Sequence, residues 1–466
     1  MTVTTETRAR LSARTVRRAR GAVLPRYDRP RDTGLTHIGV GGFARAHLGS
    51  YMDDLLTQGE PAGLWRGVSL RTRRAEEQLA PQDCYYSVAE QEPGSDPVLR
   101  VIGSMASVAT GPRAALDALT VPTTQIVTVT ITEKGYDPIP QDDRHPAPAD
   151  SAHGVLALAL ARWRSSHRSP PPVIVPLDNV ADNGALLRSR VIDAAAQLEP
   201  GLAEWIDGTV HFASSVVDRM VPAPTAEDLE AIGAQLGLLD LAAVMTERHR
   251  SWVVVADERL APLERVGVQL AGDVAPFEQR KLWLLNAPHS ALAYCGLLFG
   301  CPTIADAAAH VTVSRFVRSL VDDLIEGAAL PAPLAPASFA AEALRRFGNP
   351  SLHHACSQVA ADGSRKLPQR FGPVVDARRR RGLDSGRAAM VVALWIAAMG
   401  RLDVAGGRLP VILDPDSARI AASRRDLHHV VRVALSGRFD EPFLLEVARA
   451  LETLVGAGTG AVATLA

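Results

Sequence analysis

An α/β fold, a doubly wound parallel sheet domain followed by a mainly α-helical C-terminal domain, is predicted by three observations. Short β-branched runs alternate with helical stretches from Leu35 to about Val217, the pattern of strands joined by crossover helices. A glycine-rich turn closes the first of those runs. Beyond about Val274 the strand signals fade, and alanine- and leucine-rich helical segments take over, broken by the proline-rich loop PAPLAPA at Pro331 to Ala337.

Each run ends in residues able to do chemistry. THIGV leads into Gly41 and Gly42, RGVSL into Arg71-Thr-Arg-Arg74, QIVTVTIT into Glu133-Lys-Gly135, and VIVPL into Asp178-Asn179. Ligands of open α/β sheets bind outside the carboxyl ends of the strands, so these four tips are expected to converge on one crevice. The division that follows is an N-terminal arm over 1–30, a dinucleotide-binding domain over 31–273 and a helical substrate and catalytic domain over 274–466. The arm carries Arg8, Arg10, Arg14, Arg17, Arg18 and Arg20 and reads as a solvated leading helix or frayed terminus. The run Arg378 to Arg381 reads as a solvated face.

Composition narrows the function classes. A formal net charge of -1 over 466 residues argues against a dedicated nucleic-acid binder, whose footprint is a strongly basic domain; a small-molecule partner fits better. Cys84, Cys295, Cys301 and Cys356 show neither CxxC nor Cys/His ligand spacing, so no zinc site or disulfide framework is expected, and a reducing, cytoplasmic compartment fits. The apolar run AAMVVALWIAAM, Ala388 to Met399, is too short to span a bilayer and reads as a buried helix. A monomer or small homo-oligomer is expected.

GVGGFARAH, Gly39 to His47, matches the first strand-to-helix turn of a Rossmann-type unit. Gly39 would make the tight turn and Gly41 would let the backbone approach a pyrophosphate, with Gly42 and Phe43 opening the helix and Ala44 at the third fingerprint position. A plain structural turn is the alternative. At the second tip, where an NAD site usually offers an acid to the ribose, the chain has Arg71, Arg73 and Arg74. Arginine there can accept a ribose 2′-phosphate, so NAD or NADP is expected as cofactor; an ordinary solvated helix start is the competing explanation. Glu133, at the third tip, joins the cofactor-binding candidates.

The most specific stretch is KLWLLNAPH, Lys281 to His289. At 100° per residue of an α-helix, Asn286 and His289 lie about 140° and 80° around the axis from Lys281, so an amine, an amide and an imidazole share one broad face. Glu278, one turn earlier, falls there too; an amphipathic helix turned to solvent would show the same pattern. Other dehydrogenase chemistries find no support: the zinc ligands are missing, and none of the tyrosines is followed by lysine four positions later. No G-x-S-x-G elbow marks a serine hydrolase. Lys281 is left as the base in a polar setting.

GVGGFARAH, VTITEKGYD (Val129 to Asp137), LDNVADNG (Leu177 to Gly184), VVDRMVP (Val216 to Pro222), FEQRKLWLLNAPHSALAY (Phe277 to Tyr294) and DGSRKLPQR (Asp362 to Arg370) together resemble the polyol-specific long-chain dehydrogenases. That family includes mannitol 2-dehydrogenase and fructuronate reductase. The resemblance runs in order from about Gly34 to Pro415. It implies that Lys281 is the catalytic lysine, that Asn179 and Asn286 stabilise the oxyanion, and that His289 fixes a substrate hydroxyl. It further implies a proton-passing role for Glu278, a substrate pocket lined by Asp218 and Lys366, and a site between the two domains. Two departures matter. Ala287-Pro288 replaces the usual Gly-Ser, so proline is expected to kink the helix under His289. Gln358 replaces an arginine typical of the mannitol enzymes, and its surroundings are closer to the fructuronate reductases.

The expected activity is metal-independent, NAD(P)-dependent interconversion of an open-chain polyol or sugar acid with its ketone, D-mannonate/D-fructuronate ahead of D-mannitol/D-fructose. Lys281 would act as base with its pKa lowered by desolvation and neighbouring amides. A mannitol 1-phosphate dehydrogenase and a non-catalytic sugar or nucleotide sensor are the alternatives.

Overall fold

In the computed structural model, which describes residues 8–60, 63–131, 133–137, 151–166, 170–404 and 407–466, the side chains of 133, 134, 407 and 408 fall outside the description. The chain divides into two units, Met1–Ala275 and Pro276–Ala466.

The first unit is built on five parallel strands: β1 (Thr33–Ile38), β2 (Leu64–Ser69), β3 (Met105–Thr110), β4 (Ile126–Val129) and β5 (Val173–Pro176). Their order across the sheet is β3-β2-β1-β4-β5, that of the dinucleotide-binding fold. Phe212 extends it beyond β5 through a parallel bridge to Ile174. Parallel strands are covered on both faces, so alternate residues enter different cores. Leu35, Trp65, Met105, Val173 and Val175 belong to one cluster, while Ile38, Val68, Val127, Val129 and Ile174 belong to the other.

Four of these strands are the runs read from the sequence. The fifth, β3, escaped because MASVAT is short on branched apolar bulk; it pairs with β2 alone and is only partly buried. Two further sheets flank this one. Ala22–Val23, Val98–Ile102, Tyr86–Gln91 and Val244–Glu247 form the first, and Gln269–Ala271, Ser251–Val255 and Ser215–Asp218 the second.

The leading segment differs from the expected solvated arm. Leu11 N–H donates to the Leu239 carbonyl and Leu239 N–H to that of Ala9, both at 2.9 Å. Leu11 and Val16 are buried with Leu236, Leu238 and Tyr85, and Ala22–Val23 adds a strand beside Val98–Ile102. Two apolar side chains among the arginines suffice to draw the segment onto the sheet domain, a pull that charge counting misses.

The second unit is helical. Its longer helices include Val311–Ala328, Pro336–Phe347, Gly363–Arg380, Gly386–Gly400 and Glu441–Ala457. Among its described residues the β pairing is limited to Asp403–Val404 with Gly407–Arg408 and an isolated antiparallel bridge between Thr303 and Ala355. Every residue from Ala388 to Gly400 is buried, which answers the apolar run in the sequence. Among the described residues no helix is long and apolar enough to cross a membrane. The arginine run is not uniformly solvated: Arg378 is buried, with its guanidinium on Asp323 and Glu326 at 3.0 and 2.8 Å. Position on the inner side of Gly363–Arg380 separates it from its neighbours.

Candidate functional site

At the tip of β1, Gly39 adopts φ +102°, and a Cβ there would sit 1.9 Å from the Thr130 carbonyl oxygen. Only glycine fits. Its N–H donates to the Val68 carbonyl, and Thr130 N–H to that of Ile38, both at 2.8 Å, so the tips of β1, β2 and β4 are tied together. Beneath them lies His37, fully buried. Its Nε2 faces the Gly39 carbonyl and Thr130 Oγ1, each at 3.0 Å, while Nδ1 meets Thr128 Oγ1 at 2.8 Å. Burial pushes its pKa down to about 4, so the ring is neutral and acts as a strut.

The helix Gly42–Thr57 starts from Gly41, which caps it without a side chain. A Cβ on Gly41 would meet no protein atom within 4 Å, whereas Ala44 is completely buried. The turn is thus closed on its protein side and open at Gly41, which fits a pyrophosphate on the first N–H groups of the helix. Phe43 is half-buried and stacks on His47 at 4.8 Å. After β2, Arg71, Arg73 and Arg74 are all exposed, with Arg73 4.0 Å from Glu76. Glu133 opens a turn, Glu133–Tyr136, but its side chain lies outside the described residues.

Asp178, at the tip of β5, accepts from Ile131 N–H at 3.0 and 3.1 Å and from the Tyr136 hydroxyl at 2.8 Å. It anchors the loop after β4, and the next residue, Asn179, is exposed. Asn183 locks the same segment to Ser215 in both directions, at 2.8 and 2.9 Å. Asp218 ends the strand Ser215–Asp218, with His249 Nε2 3.5 Å away. Arg219, which the sequence reading passed over, is buried; it bonds the Ala46 carbonyl and Glu90 at 2.6 and 2.7 Å, pinning the helix Gly42–Thr57 to the flanking sheet.

In the second unit, Glu278 and Lys281 lie half-buried on the helix Ala275–Lys281. The next turn is not α-helical. Leu282–Asn286 winds as a π-helix, marked by the Ala287 N–H donating to the Leu282 carbonyl, and the α-helix resumes over Ala287–Leu298 with Pro288 in its first turn. Proline was expected to kink the helix; instead the change of pitch falls immediately before it. Pro288 brings no N–H, so the ladder is interrupted there whatever the pitch. The α-helical angles also need correction. A π turn advances roughly 80° per residue, which idealises to Asn286 about 40° and His289 about 20° from Lys281, on opposite sides. The extra residue narrows the face these three share.

His289 stacks on Phe347 at 4.6 Å and meets His354 edge-on at 5.1 Å. Burial drives its pKa well below the ordinary value, and His354, Arg370, Arg346 and Lys366 push the same way. Arg370 is buried and donates from Nη1 to the Asn286 carbonyl at 3.0 Å and to Ser290 Oγ, bracing the exit of the π turn. Lys366, one turn earlier on Gly363–Arg380, donates from Nζ to the Ala361 carbonyl at 2.7 Å. The start of that helix is tightly specified. Asp362 has φ +56°, a Cβ on Gly363 would fall 2.3 Å from Tyr294 Oη, and Asp414 caps Ser364 N–H at 2.9 Å. Gln358 is exposed on the short helix Cys356–Val359. His354 and Arg346 are the residues of this cluster that no motif signalled. Among the described residues, no group of three or more His, Cys, Asp or Glu side chains could hold a metal ion.

A dinucleotide-type sheet with a glycine turn at its first strand, followed by a helical unit with lysine, amide and imidazole on one run, defines the class: an oxidoreductase with a Rossmann domain. Residues 33–264 match the Mannitol dehydrogenase Rossmann domain and 273–440 the Mannitol dehydrogenase C-terminal domain. The D-mannonate oxidoreductase of Escherichia coli is 34% identical over 415 residues, covering 84% of this chain and 85% of that protein. A mannitol 2-dehydrogenase of Pyricularia oryzae is 30% identical over 484 residues, covering 95% and 94%. The solved ternary complex of Pseudomonas fluorescens mannitol 2-dehydrogenase with NAD and D-mannitol superposes with a TM-score of 0.86 at 27% identity, over 98% of this chain and 99% of that one. The chain belongs to the mannitol dehydrogenase family of oxidoreductases.

Proposed function

We propose that the protein is a metal-independent, NAD(P)-dependent dehydrogenase that interconverts the secondary alcohol of an open-chain polyol or sugar acid with the ketone, D-mannonate/D-fructuronate being preferred to D-mannitol/D-fructose. The observation that carries this reading is the narrowed helical face bearing Lys281, Asn286 and His289, set in the cationic company of Lys366, Arg370 and Arg346. The relative acting on D-mannonate and the solved complex holding NAD and D-mannitol support it.

When bound at the open Gly41 turn, the nicotinamide cofactor supplies the hydride acceptor. The residues of this chain do the rest. Lys281 takes the hydroxyl proton, and Glu278, three residues earlier, passes it towards solvent. The amides of Asn286 and Asn179 donate to the oxygen as it becomes an alkoxide. Aimed at charge that develops only in the transition state, each is worth about 2.7–4 kcal/mol by analogy with an oxyanion-hole donor. His289 positions a neighbouring hydroxyl, and Asp218 and Lys366 bind the remainder of the chain.

The test is a panel of NADH- and NADPH-dependent reductions of fructuronate, tagaturonate, fructose and fructose 6-phosphate by the purified protein. Highest kcat/KM on fructuronate is expected. Preference for fructose 6-phosphate would replace this reading with a sugar-phosphate dehydrogenase, and binding without turnover would replace it with a sensor.

A further inference from the structure

The loop between β5 and the helix Asn183–Leu198 carries Asn179, which is exposed. An exposed amide in a short loop generally has several rotamers open to it, yet a donor serves a developing alkoxide only if it is already aimed. The residue before it is clamped at two points. Asp178 is buried, and its carboxylate accepts from Ile131 N–H at 3.0 and 3.1 Å and from the Tyr136 hydroxyl at 2.8 Å. Its carbonyl accepts from Asn183 Nδ2 at 2.9 Å, and Asn183, itself buried, is bonded in both directions to Ser215. Tyr136 is fixed in turn. Only 4% exposed, it belongs to the core that holds Ile38, Val129 and Ile174. Its carbonyl accepts at 2.8 Å from Nε of Arg190, on the helix that Asn183 opens. The turn Glu133–Tyr136 is thus tied to the β5 side twice, once on each side of Asn179 in the chain. Burial and the facing carboxylate raise the Tyr136 pKa, so the hydroxyl keeps the proton it donates.

We infer that Tyr136 is a positioning residue for Asn179: by holding the Asp178 carboxylate it fixes the backbone from which the Asn179 amide reaches the alkoxide. Asp178 and Asn179 share one planar peptide unit, so a shift of the carboxylate is passed directly to the residue that carries the amide. With the hydroxyl gone, the carboxylate loses the donor that ties it to the turn Glu133–Tyr136. A buried charge short of a donor moves towards a replacement, protein or water. A bond to a neutral substrate oxygen tolerates such a displacement better than one aimed at the oxyanion, so the cost falls on kcat and not on KM. The inference rests on the dehydrogenase reading for the role of Asn179.

The experiment measures kcat and KM for NADH-dependent reduction of fructuronate and fructose by the full-length protein as wild type, Tyr136→Phe, Asn179→Ala and the double variant. Expressing kcat per NADH-binding site leaves unfolded chains out of the comparison. Tyr136→Phe should lower kcat by about tenfold, with KM for the ketone changed by less than about twofold. In the Asn179→Ala background the same change should lower kcat by less than about twofold, because the amide it positions is gone. Arg190→Gln, which releases the Tyr136 carbonyl and leaves the hydroxyl in place, should show the same pattern at about threefold; it carries the test if Tyr136→Phe does not fold. An unchanged kcat, a loss confined to KM, or equal losses of kcat in both backgrounds overturns the positioning role and leaves the dehydrogenase reading standing. A wild-type kcat in Asn179→Ala removes that amide from the alkoxide and the inference with it. If wild type turns over no ketone, both fall.

Discussion

His37 in the first unit is fully buried and His289 in the second is half-buried, and burial pushes both towards the neutral form, yet they are opposites in how their nitrogens are spent. His37 has partners at both nitrogens, within the β-strand tips themselves. His289 leaves Nε2 without a partner, as its neighbour His354 leaves Nδ1. The first is architecture: it holds Gly39 and Thr130 and so fixes the turn after β1. The second keeps one buried nitrogen bare, at a cost to stability.

The largest effect should come from the helical side of this contrast. Lys281→Ala is expected to lower kcat by about 10²–10⁴, the usual worth of a general base, while the dissociation constant for NADH, set in the sheet unit, stays within error. Loss of cofactor affinity in step with kcat would break the separation of roles. Asn286→Ala should follow, with kcat falling by about 10²–10³ and KM changing far less. A rise confined to KM would make the amide a ground-state binder.

The histidines can be set against each other directly. His37→Gln should destabilise the protein, since it disturbs bonds to Thr128, Thr130 and Gly39, whereas His289→Phe should cost no stability because it removes an unsatisfied buried nitrogen. The pH dependence has a definite sign. With a folded pKa of about 4 against 6.5 for the free side chain, the unfolded chain takes up the proton first. The contribution of neutral His37 is fully present above pH 6.5 and is lost as pH falls towards 4, an effect of up to about 3 kcal/mol. Urea denaturation at pH 7 and pH 4.5 should show a smaller drop in His37→Gln than in wild type; an equal drop would remove His37 from the account.

Gly39→Ala tests the backbone side. Positive φ alone costs about 1–3 kcal/mol for a residue with a Cβ, and the overlap with the Thr130 carbonyl adds to it. A lowered melting temperature and weakened NADH binding are expected, with Lys281 chemistry intact in whatever fraction remains folded. Smallest is the cofactor choice. Exposed Arg73 and Arg74 should gain about 1.5–3 kcal/mol from a 2′-phosphate. Changing them to Glu and Asp should therefore move the NADPH-to-NADH ratio of kcat/KM by roughly one to two decades towards NADH. A constant ratio would leave them as a solvated helix start.

Much of this was legible without coordinates, and the reasons differ by element. Strands β1, β2, β4 and β5 announce themselves because a parallel strand is buried on both faces and favours β-branched and apolar residues, but β3 does not, since its weaker burial asks for little. The glycine turn and KLWLLNAPH are contiguous in sequence, so local pattern suffices. The π turn was hidden: one inserted residue of pitch leaves no compositional trace, and the angular arithmetic of an α-helix placed His289 some 80° from Lys281, where the wider turn brings it closer. Leu11 and Val16 were masked by the surrounding arginines in the same way.

By itself the sequence determined what short-range rules control: the alternation that makes a doubly wound sheet, the one position at which only glycine can turn, and the order in which lysine, amide and imidazole follow along a helix. Tertiary structure alone decided which polar atoms are satisfied. His37 and His289 carry the same ring, and their neighbours in the chain do not account for the difference between them. Besides Gly39, the partners of His37 are Thr128 in β4 and Thr130 just after it, about ninety residues on, and the surroundings of His289 come from three separate segments that bear Phe347, His354 and Lys366. Whether a buried nitrogen finds a partner in the fold depends on contacts between distant segments, and those exist only once the chain has packed.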